Sequence, residues 1–265
     1  MDEYTVKIVI ATHKKYQMPE DSMYIPLHVG AEGKRDSNGN EIDLGYIKDN
    51  TGENISIYND FFCELTGLYW AWKNLSADYI GIFHYRRHFS MNKKILEYKQ
   101  LKPFLGKIKL FVPKKRWYVI ETLKSHYAHT HHLEHLDVTR NVISKKYPDY
   151  LKNFDKIMNR RWGYMFNMMI AEYDFINAYC SWVFDVLFDV FSNIDFSNYS
   201  VFEKRFIGRV SELLFNVWLN KAIEDGLIKK SEIMELDCAV EENMFIKIPE
   251  FLKAKYLGKK YGSSF

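Results

Sequence analysis

At 265 residues the chain is long enough to bury a full core, and its 47% hydrophobic content fits a globular fold and excludes a disordered or fibrous one. A formal charge of +3 is too slight a basic bias to argue for a nucleic-acid partner, and none is expected. Cys63, Cys180 and Cys238 are far apart and form no CxxC pair, which suggests reduced thiols in a cytoplasmic setting.

The N-terminal MDEYTVKIVIATHKKY has acids first and a short apolar run, so it is not read as a signal peptide. Val6 to Ala11 (VKIVIA) predicts a buried strand, and Tyr24 to Val29 (YIPLHV) a second one closed by Gly30. Residues 31–54 are polar, with glycines and the turn pair Asn38-Gly39, and are too long for a simple connection. Phe61 to Asn74 has helical spacing, with Phe62, Leu65, Tyr69 and Trp72 on one face. Ala77 to Phe83 predicts a strand, as does Ile108 to Val112, stopped by Pro113. Trp117 to Asn159 reads as helical, Met165 to Ala171 as a strand, and Tyr173 to Phe191 and Glu203 to Ala222 as long amphipathic helices. The apolar run from Trp182 to Phe191 is interrupted by Asp185 and Asp189 and falls short of the roughly 20 apolar residues of a membrane span. This alternation predicts one α/β domain on a mostly parallel sheet, with a helical C-terminal half.

Ligands of open α/β sheets sit outside the carboxyl ends of the strands. Thr12-His13-Lys14-Lys15 follows the first strand, and His84-Tyr85-Arg86-Arg87-His88 follows the strand of residues 77–83. Strand ends are also polar simply because they leave the core. Both clusters together point to an anion site, since an Arg fork grips phosphate oxygens bidentately without a metal. Asp49, Asn50, Thr51, Gly52 and Asn54 suit a base or ribose, with an ordinary polar turn as the alternative. Glu64 and Lys73 are harder to explain as packing, although a solvated helix face could hold both. The segment HYAHTHHLEH (126–135) puts His131 and His135 at zinc-pair spacing, but no Cys is near and no Glu follows His131. Histidines near a sugar or phosphate are the preferred reading there, a solvated helix the other. Ser211 or the residues before it are expected to cap a helix that carries Glu212 in its first turn, a placement that serves capping or a general base.

The strings IVIATHKKY, IPLHVGAEG, DLGYIKDNTGENIS, FFCELTGLYWAWKNLSADYIGIFHYRRHF and GRVSELLFNVWL resemble a bacterial family long filed as a domain of unknown function. Its members occur in capsule and exopolysaccharide clusters and are regarded as glycosyltransferases, with galactofuranosyl transfer described for some. The likeness is dense over residues 6–90 and returns over about 163–220. It implies a GT-A-like single Rossmann-type domain: a nucleotide-sugar half over about 1–115, an acceptor half over about 116–250 and a tail at 251–265. The HYRR segment stands where related metal-using enzymes carry an acidic pair. The resemblance therefore implies a UDP-sugar donor with no cofactor and no divalent metal, the diphosphate being met by cations. Arg86 and Arg87 would stabilise the leaving group with His84, and Glu212 would deprotonate the acceptor. Ala11, Thr12, His13, Lys14, Gly30, Asp49, Asn50, Asn54, Glu64 and Tyr85 would bind the donor. The acceptor would be a glycan or lipid-linked saccharide of a capsular, exopolysaccharide or O-antigen polymer.

Two other functions stay open on the sequence: a non-catalytic module that binds a phosphoglycan or nucleotide, and a hydrolase or phosphotransferase using the histidines. The tail FLKAKYLGKKYGSSF (251–265) alternates lysines with aromatic and aliphatic residues, as a segment lying on an anionic leaflet would. Peripheral contact with the inner face of the plasma membrane is the corresponding expectation; a solvated tail or a packed final helix fits the same pattern.

Overall fold

The apolar runs near the N-terminus become neighbouring strands of one sheet in the computed structural model, which describes residues 3–240. The strands are β1 (Val6–Thr12), β2 (Tyr24–His28), β3 (Ile47–Lys48), β4 (Tyr79–His84), β5 (Arg87–Met91), β6 (Lys94–Ile95), β7 (Leu110–Pro113), β8 (Arg116–Trp117), β9 (Trp162–Gly163), β10 (Met169–Glu172) and β11 (Ile233–Val240). The α-helices are α1 (Asn59–Phe62), α2 (Leu65–Asn74), α3 (Tyr98–Leu101), α4 (Leu123–Thr130), α5 (Glu134–Lys146), α6 (Leu151–Met158), α7 (Tyr173–Ser192) and α8 (Phe206–Glu224). The basic aromatic tail at 251–265 lies outside the described residues.

Contacts divide the described chain into two compact units. The first runs to Lys114 and takes back Phe166–Ser181 and Ile228–Val240; the second comprises Lys115–Met165 and Trp182–Leu227. The first holds the nine-stranded sheet, ordered β3-β2-β1-β4-β10-β7-β11-β5-β6. This sheet is mixed, which corrects the expectation of a mostly parallel one. Four pairings are parallel and five antiparallel, and every antiparallel pairing involves β5 or β10. Both reversed strands are short and enter from tight turns, and period-2 apolar patterning carries no sign of strand direction.

Alternation along β1 and β4 sorts their side chains between the two faces. Ile8, Ile10, Tyr79 and Phe83 join Phe89, Phe111 and Ile170 in one buried cluster. On the other side α2 buries Leu65, Leu68 and Ala71. Gly67 lets that helix approach closely: a Cβ there would lie 3.1 Å from Val29, 3.3 Å from Ile82 and 3.5 Å from Leu27. Tyr69 and Trp72, which the helical spacing puts on one face with Phe62 and Leu65, are only half-buried. Their polar tips bond at the rim, Tyr69 Oη to Glu53 at 2.9 Å and Trp72 Nε1 to Asn177 at 2.9 Å. Lys73 forms an ion pair with Glu53 at 3.2 Å and lies 3.9 Å from the Trp72 ring centroid, which gives it a packing role.

Other boundaries moved for local reasons. The helix expected over Phe61–Asn74 is broken by Cys63 at φ 53°, and the strand expected from Met165 starts at Met169 because Phe166 (φ 79°) and Asn167 (φ 50°) leave the extended region. The stretch from Trp117 begins in the short β8–β9 ladder before α4, α5 and α6. By length and composition α7 could cross a membrane, but more than half of its most apolar stretch is buried, and Asp185 and Asp189 both bond Lys146 at 2.8 Å. It therefore reads as a core helix.

Gly81, in the middle of β4, marks a close approach of neighbouring strands. A Cβ there would lie 3.0 Å from Ile170 Cγ1, 3.0 Å from the Met169 carbonyl oxygen and 3.1 Å from Ile8 Cγ1. Gly81→Ala is expected to destabilise the fold by about 1–3 kcal/mol, as overpacking does. Urea unfolding midpoints equal in parent and variant would contradict this.

Candidate functional site

Because β2, β1 and β4 run parallel, their carboxyl ends meet at one edge, with Thr12 opposite His28 and Ala11 opposite His84. The loop after β3 joins them, since β3 is parallel to β2. Ala11, Thr12, His13, Lys14, Gly30, Asp49, Asn50 and His84 to Arg87 are thereby brought to the same edge of the first unit. The Thr12 hydroxyl folds the chain back there, donating to the Lys14 carbonyl at 2.6 Å and accepting from the Lys14 N–H at 3.3 Å.

Tyr85 is the hub of this edge. Its N–H donates to the Ala11 carbonyl at 3.2 Å, and its ring is buried. Lys14 Nζ lies 5.2 Å and Arg86 Cζ 5.3 Å from the Tyr85 ring centroid, while His13 and Tyr16 meet the ring edge-on at 5.3 Å. Both cations are thus within cation–π reach of one ring. The Arg86 N–H donates to His84 Nδ1 at 3.3 Å, which makes Nε2 the protonated nitrogen of the neutral imidazole. Arg87 pairs with His84 across the β4–β5 turn, and its guanidinium covers the Phe166 ring at 4.1 Å. Lys14 and Arg86 form no ion pair among the described residues, and Arg86 Nε is buried without a hydrogen-bond partner. Concentrated positive charge beside a backbone turn is the arrangement that attracts an anion.

The loops around this edge are held by buried polar groups. Asp49 is fully buried; its carboxylate accepts from the Gly30 N–H at 2.8 Å, the Ala31 N–H at 3.0 Å and the Ser56 hydroxyl. It fixes the backbone after β2. Gly30 sits at φ 67°, and a Cβ there would fall 2.3 Å from Asn59 Oδ1, so glycine is required. Asn50 donates to Glu32 at 3.1 Å and Asn54 to the Gly52 carbonyl at 3.0 Å, bonds that shape their own loop. Asn59 donates to the Cys63 carbonyl at 2.8 Å and to Thr66 Oγ1 at 3.0 Å, and Glu64 accepts from Asn167 Nδ2 at 2.8 Å. Cys63 and Phe166, both at positive φ, flank this last hydrogen bond, whose donor Asn167 is itself at positive φ. Strain of this kind costs about 1–3 kcal/mol per residue and gathers at functional sites. Phe166, Asn167, Ser56 and Asn59 were missed in the sequence. Asn167 had one usable signal, the tolerance of Asn for left-handed backbone.

Glu212 belongs to the second unit. It lies in the interior of α8, which starts at Phe206, so neither Glu212 nor the buried Ser211 is at a helix N-terminus as expected. The apolar face continues back through Val210, Ile207 and Phe206, all buried, and this burial carries the helix through Gly208. Glu212 is half-buried, and its field, with that of Arg209, reaches the Tyr127 phenol, which burial pushes upward in pKa.

The five histidines of 126–135 are divided among separate partners. His129 Nδ1 bonds Glu121 at 2.7 Å, with His126 Nδ1 3.4 Å from the same carboxylate. His131 Nδ1 faces Arg209 Nη1 at 3.4 Å, and His132 Nε2 bonds Glu203 at 2.8 Å. Both ring nitrogens of His135 meet tyrosine hydroxyls, Tyr127 at 2.9 Å and Tyr199 at 3.0 Å. The helical-turn spacing read for His131 and His135 does not form, because α4 ends at Thr130 and α5 begins at Glu134. Among the described residues no group of three or more His, Cys, Asp or Glu could hold a metal ion.

The chain belongs to a family described as a domain of unknown function, DUF4422, whose model matches residues 7–223. Among solved structures it is similar to a WbbM bifunctional glycosyltransferase in its apo form, with a TM-score of 0.78 and 29% identity. That likeness covers 90% of this chain and 46% of the other, so the chain spans about half the length of that protein. No curated protein matches the chain.

Burial, with the adjacent Arg209, lowers the pKa of His131 to about 2, and burial, with Arg116, lowers that of His126 to about 4. Both are neutral in the folded state, whereas an unfolded chain protonates them below about pH 6.5. The unfolded state binds more protons in that window, so the stability these two histidines contribute is full above pH 6.5 and is lost as the pH falls toward 4. The melting temperature is expected to drop between pH 7 and pH 5, and His131→Asn to shrink the drop. An unchanged slope in the variant would place the acid sensitivity elsewhere.

Proposed function

We propose that this member of the DUF4422 family is a cytoplasmic glycosyltransferase. It takes a UDP-sugar as donor and extends a glycan or lipid-linked saccharide of a capsular, exopolysaccharide or O-antigen polymer. The observation that carries the reading is the cationic edge of the first unit, where Lys14 and Arg86 share the Tyr85 ring without a carboxylate partner among the described residues. Similarity to a bifunctional glycosyltransferase supports the reaction class.

In this reading the bond between the anomeric carbon and the diphosphate oxygen breaks while a bond to the acceptor hydroxyl oxygen forms. Negative charge grows on the departing UDP. The guanidiniums of Arg86 and Arg87, the Lys14 ammonium and the Nε2–H of His84 offset that charge, which is the largest electrostatic demand of the step. The loop held by Asp49, with the turn at Gly30, presents backbone to the nucleoside. The acceptor's proton passes to a carboxylate, a role we assign to Glu212. A divalent metal is not required, because the counter-charge belongs to the chain's own side chains. Galactofuranose is the first donor sugar to test.

Transfer from a panel of UDP-sugars, followed as UDP release with a saccharide acceptor, is the direct measurement. Arg86→Ala and Arg87→Ala are each expected to lower turnover about 10²–10³-fold, a larger effect than their effect on fold stability. Glu212→Gln is expected to keep UDP binding and abolish transfer, and chelator to leave UDP binding intact. Full activity in both arginine variants refutes the leaving-group role. Full activity in Glu212→Gln moves the base to His28 or to the histidines of 126–135.

A further inference from the structure

The second unit exposes three large apolar side chains together: Trp117 is 66% exposed, Val119 84% and Ile120 60%. They follow from how the segment is anchored. Arg116 pairs with Gly163 and Trp117 with Trp162 in the β8–β9 ladder, and the Tyr118 N–H donates to the Arg161 carbonyl at 2.8 Å. Tyr118 is buried against the His126 ring at 4.4 Å, and Glu121 is buried against His129. With residues 118 and 121 facing inward, the backbone is fixed and 117, 119 and 120 are held outward. Exposed apolar groups on a braced loop mark a contact surface.

The surrounding charge selects the partner. Residues 116–120 and 160–165 carry Arg116, Arg160 and Arg161 and no acid, Arg116 and Arg161 being exposed, and the next acid, Glu121, is turned inside. Trp162 brings the cations and rings together, with Arg160 Cζ 4.2 Å and Lys115 Nζ 5.0 Å from its centroid and the Trp117 ring 6.0 Å away. Tryptophan beside aliphatic tips, ringed by Lys and Arg, is the chemistry of an anionic bilayer interface: indoles settle at headgroup depth, aliphatics enter the acyl boundary and cations meet lipid phosphates. The geometry points to the β8–β9 hairpin and the Val119–Ile120 loop as a docking surface for an anionic lipid bilayer. This stands apart from the glycosyltransferase reading, because it uses none of the residues assigned to that chemistry, and apart from the tail at 251–265.

The test is flotation of the full chain with phosphatidylglycerol–phosphatidylcholine vesicles and with pure phosphatidylcholine vesicles. The parent is expected to float with the anionic vesicles and far less with the neutral ones. The triple variant Trp117→Ser, Val119→Ser, Ile120→Ser should bind at least tenfold more weakly. Arg116→Ala with Arg161→Ala should weaken binding roughly 25-fold, at about fivefold for each cation near the surface. Because all five side chains are exposed, melting temperatures should match the parent. A parent that does not float, or a triple variant that floats like it, overturns the inference. So does a parent that dimerises in vesicle-free solution while the triple variant is monomeric, since the patch would then be a self-association face.

Discussion

Parallel pairing of β1 with β4, in register from Val6 opposite Tyr79 to Ala11 opposite His84, holds a group of like charges together at one edge of the first unit. Two features make this tolerable. Lys14 and Arg86 both lie within reach of the Tyr85 π system, an attraction of about 0.5–1 kcal/mol at an exposed site and more where water is excluded. Tyr85 itself is immobilised by burial and by its backbone bond to Ala11. The buried ring thus offers both cations one fixed neighbour.

The rest of that edge depends on buried polar groups whose own needs are met. A fully buried carboxylate such as Asp49 is costly unless hydrogen-bonded, and two backbone N–H groups and a serine hydroxyl supply the bonds. In return the chain after β2 is fixed at Gly30. The positive-φ residues are over-determined in the same way: Asn59 holds the Cys63 carbonyl, and Glu64 holds Asn167. Arg87 rests on the ring of the strained Phe166, so the turn before β10 and the turn after β4 are packed as one.

The second unit applies a different economy. Its polar residues act mostly as clasps between elements. The Asn216 side chain exchanges two bonds with the Tyr164 backbone, both at 2.8 Å, and Arg140 grips Asp155 bidentately at 2.7 and 2.8 Å. His135, stacked on Phe206 and bonded at both nitrogens, is a core residue in all but name. Beside buried clasps such as Asn216 and His135, exposed apolar side chains such as Val119 are exceptions that call for a partner.

Much of the first unit could be read from residue order alone. β1, β2, β4 and β7 are short runs of β-branched and aromatic residues bounded by turns, and period and punctuation suffice to find such strands. The HYRR string was legible as an anion-binding candidate because cations at the end of an apolar strand are chemically conspicuous. Strand direction was not legible, since β5 and β10 carry the same pattern whichever way they run. Nor were the Phe166–Asn167 turn or the partners of the five histidines. Local sequence determined which segments are apolar enough to be buried and which side chains can carry charge. The tertiary structure decided which of those charges share a neighbourhood, because hydrogen-bond partners such as Glu64 and Asn167, 103 residues apart, meet only after the sheet has formed.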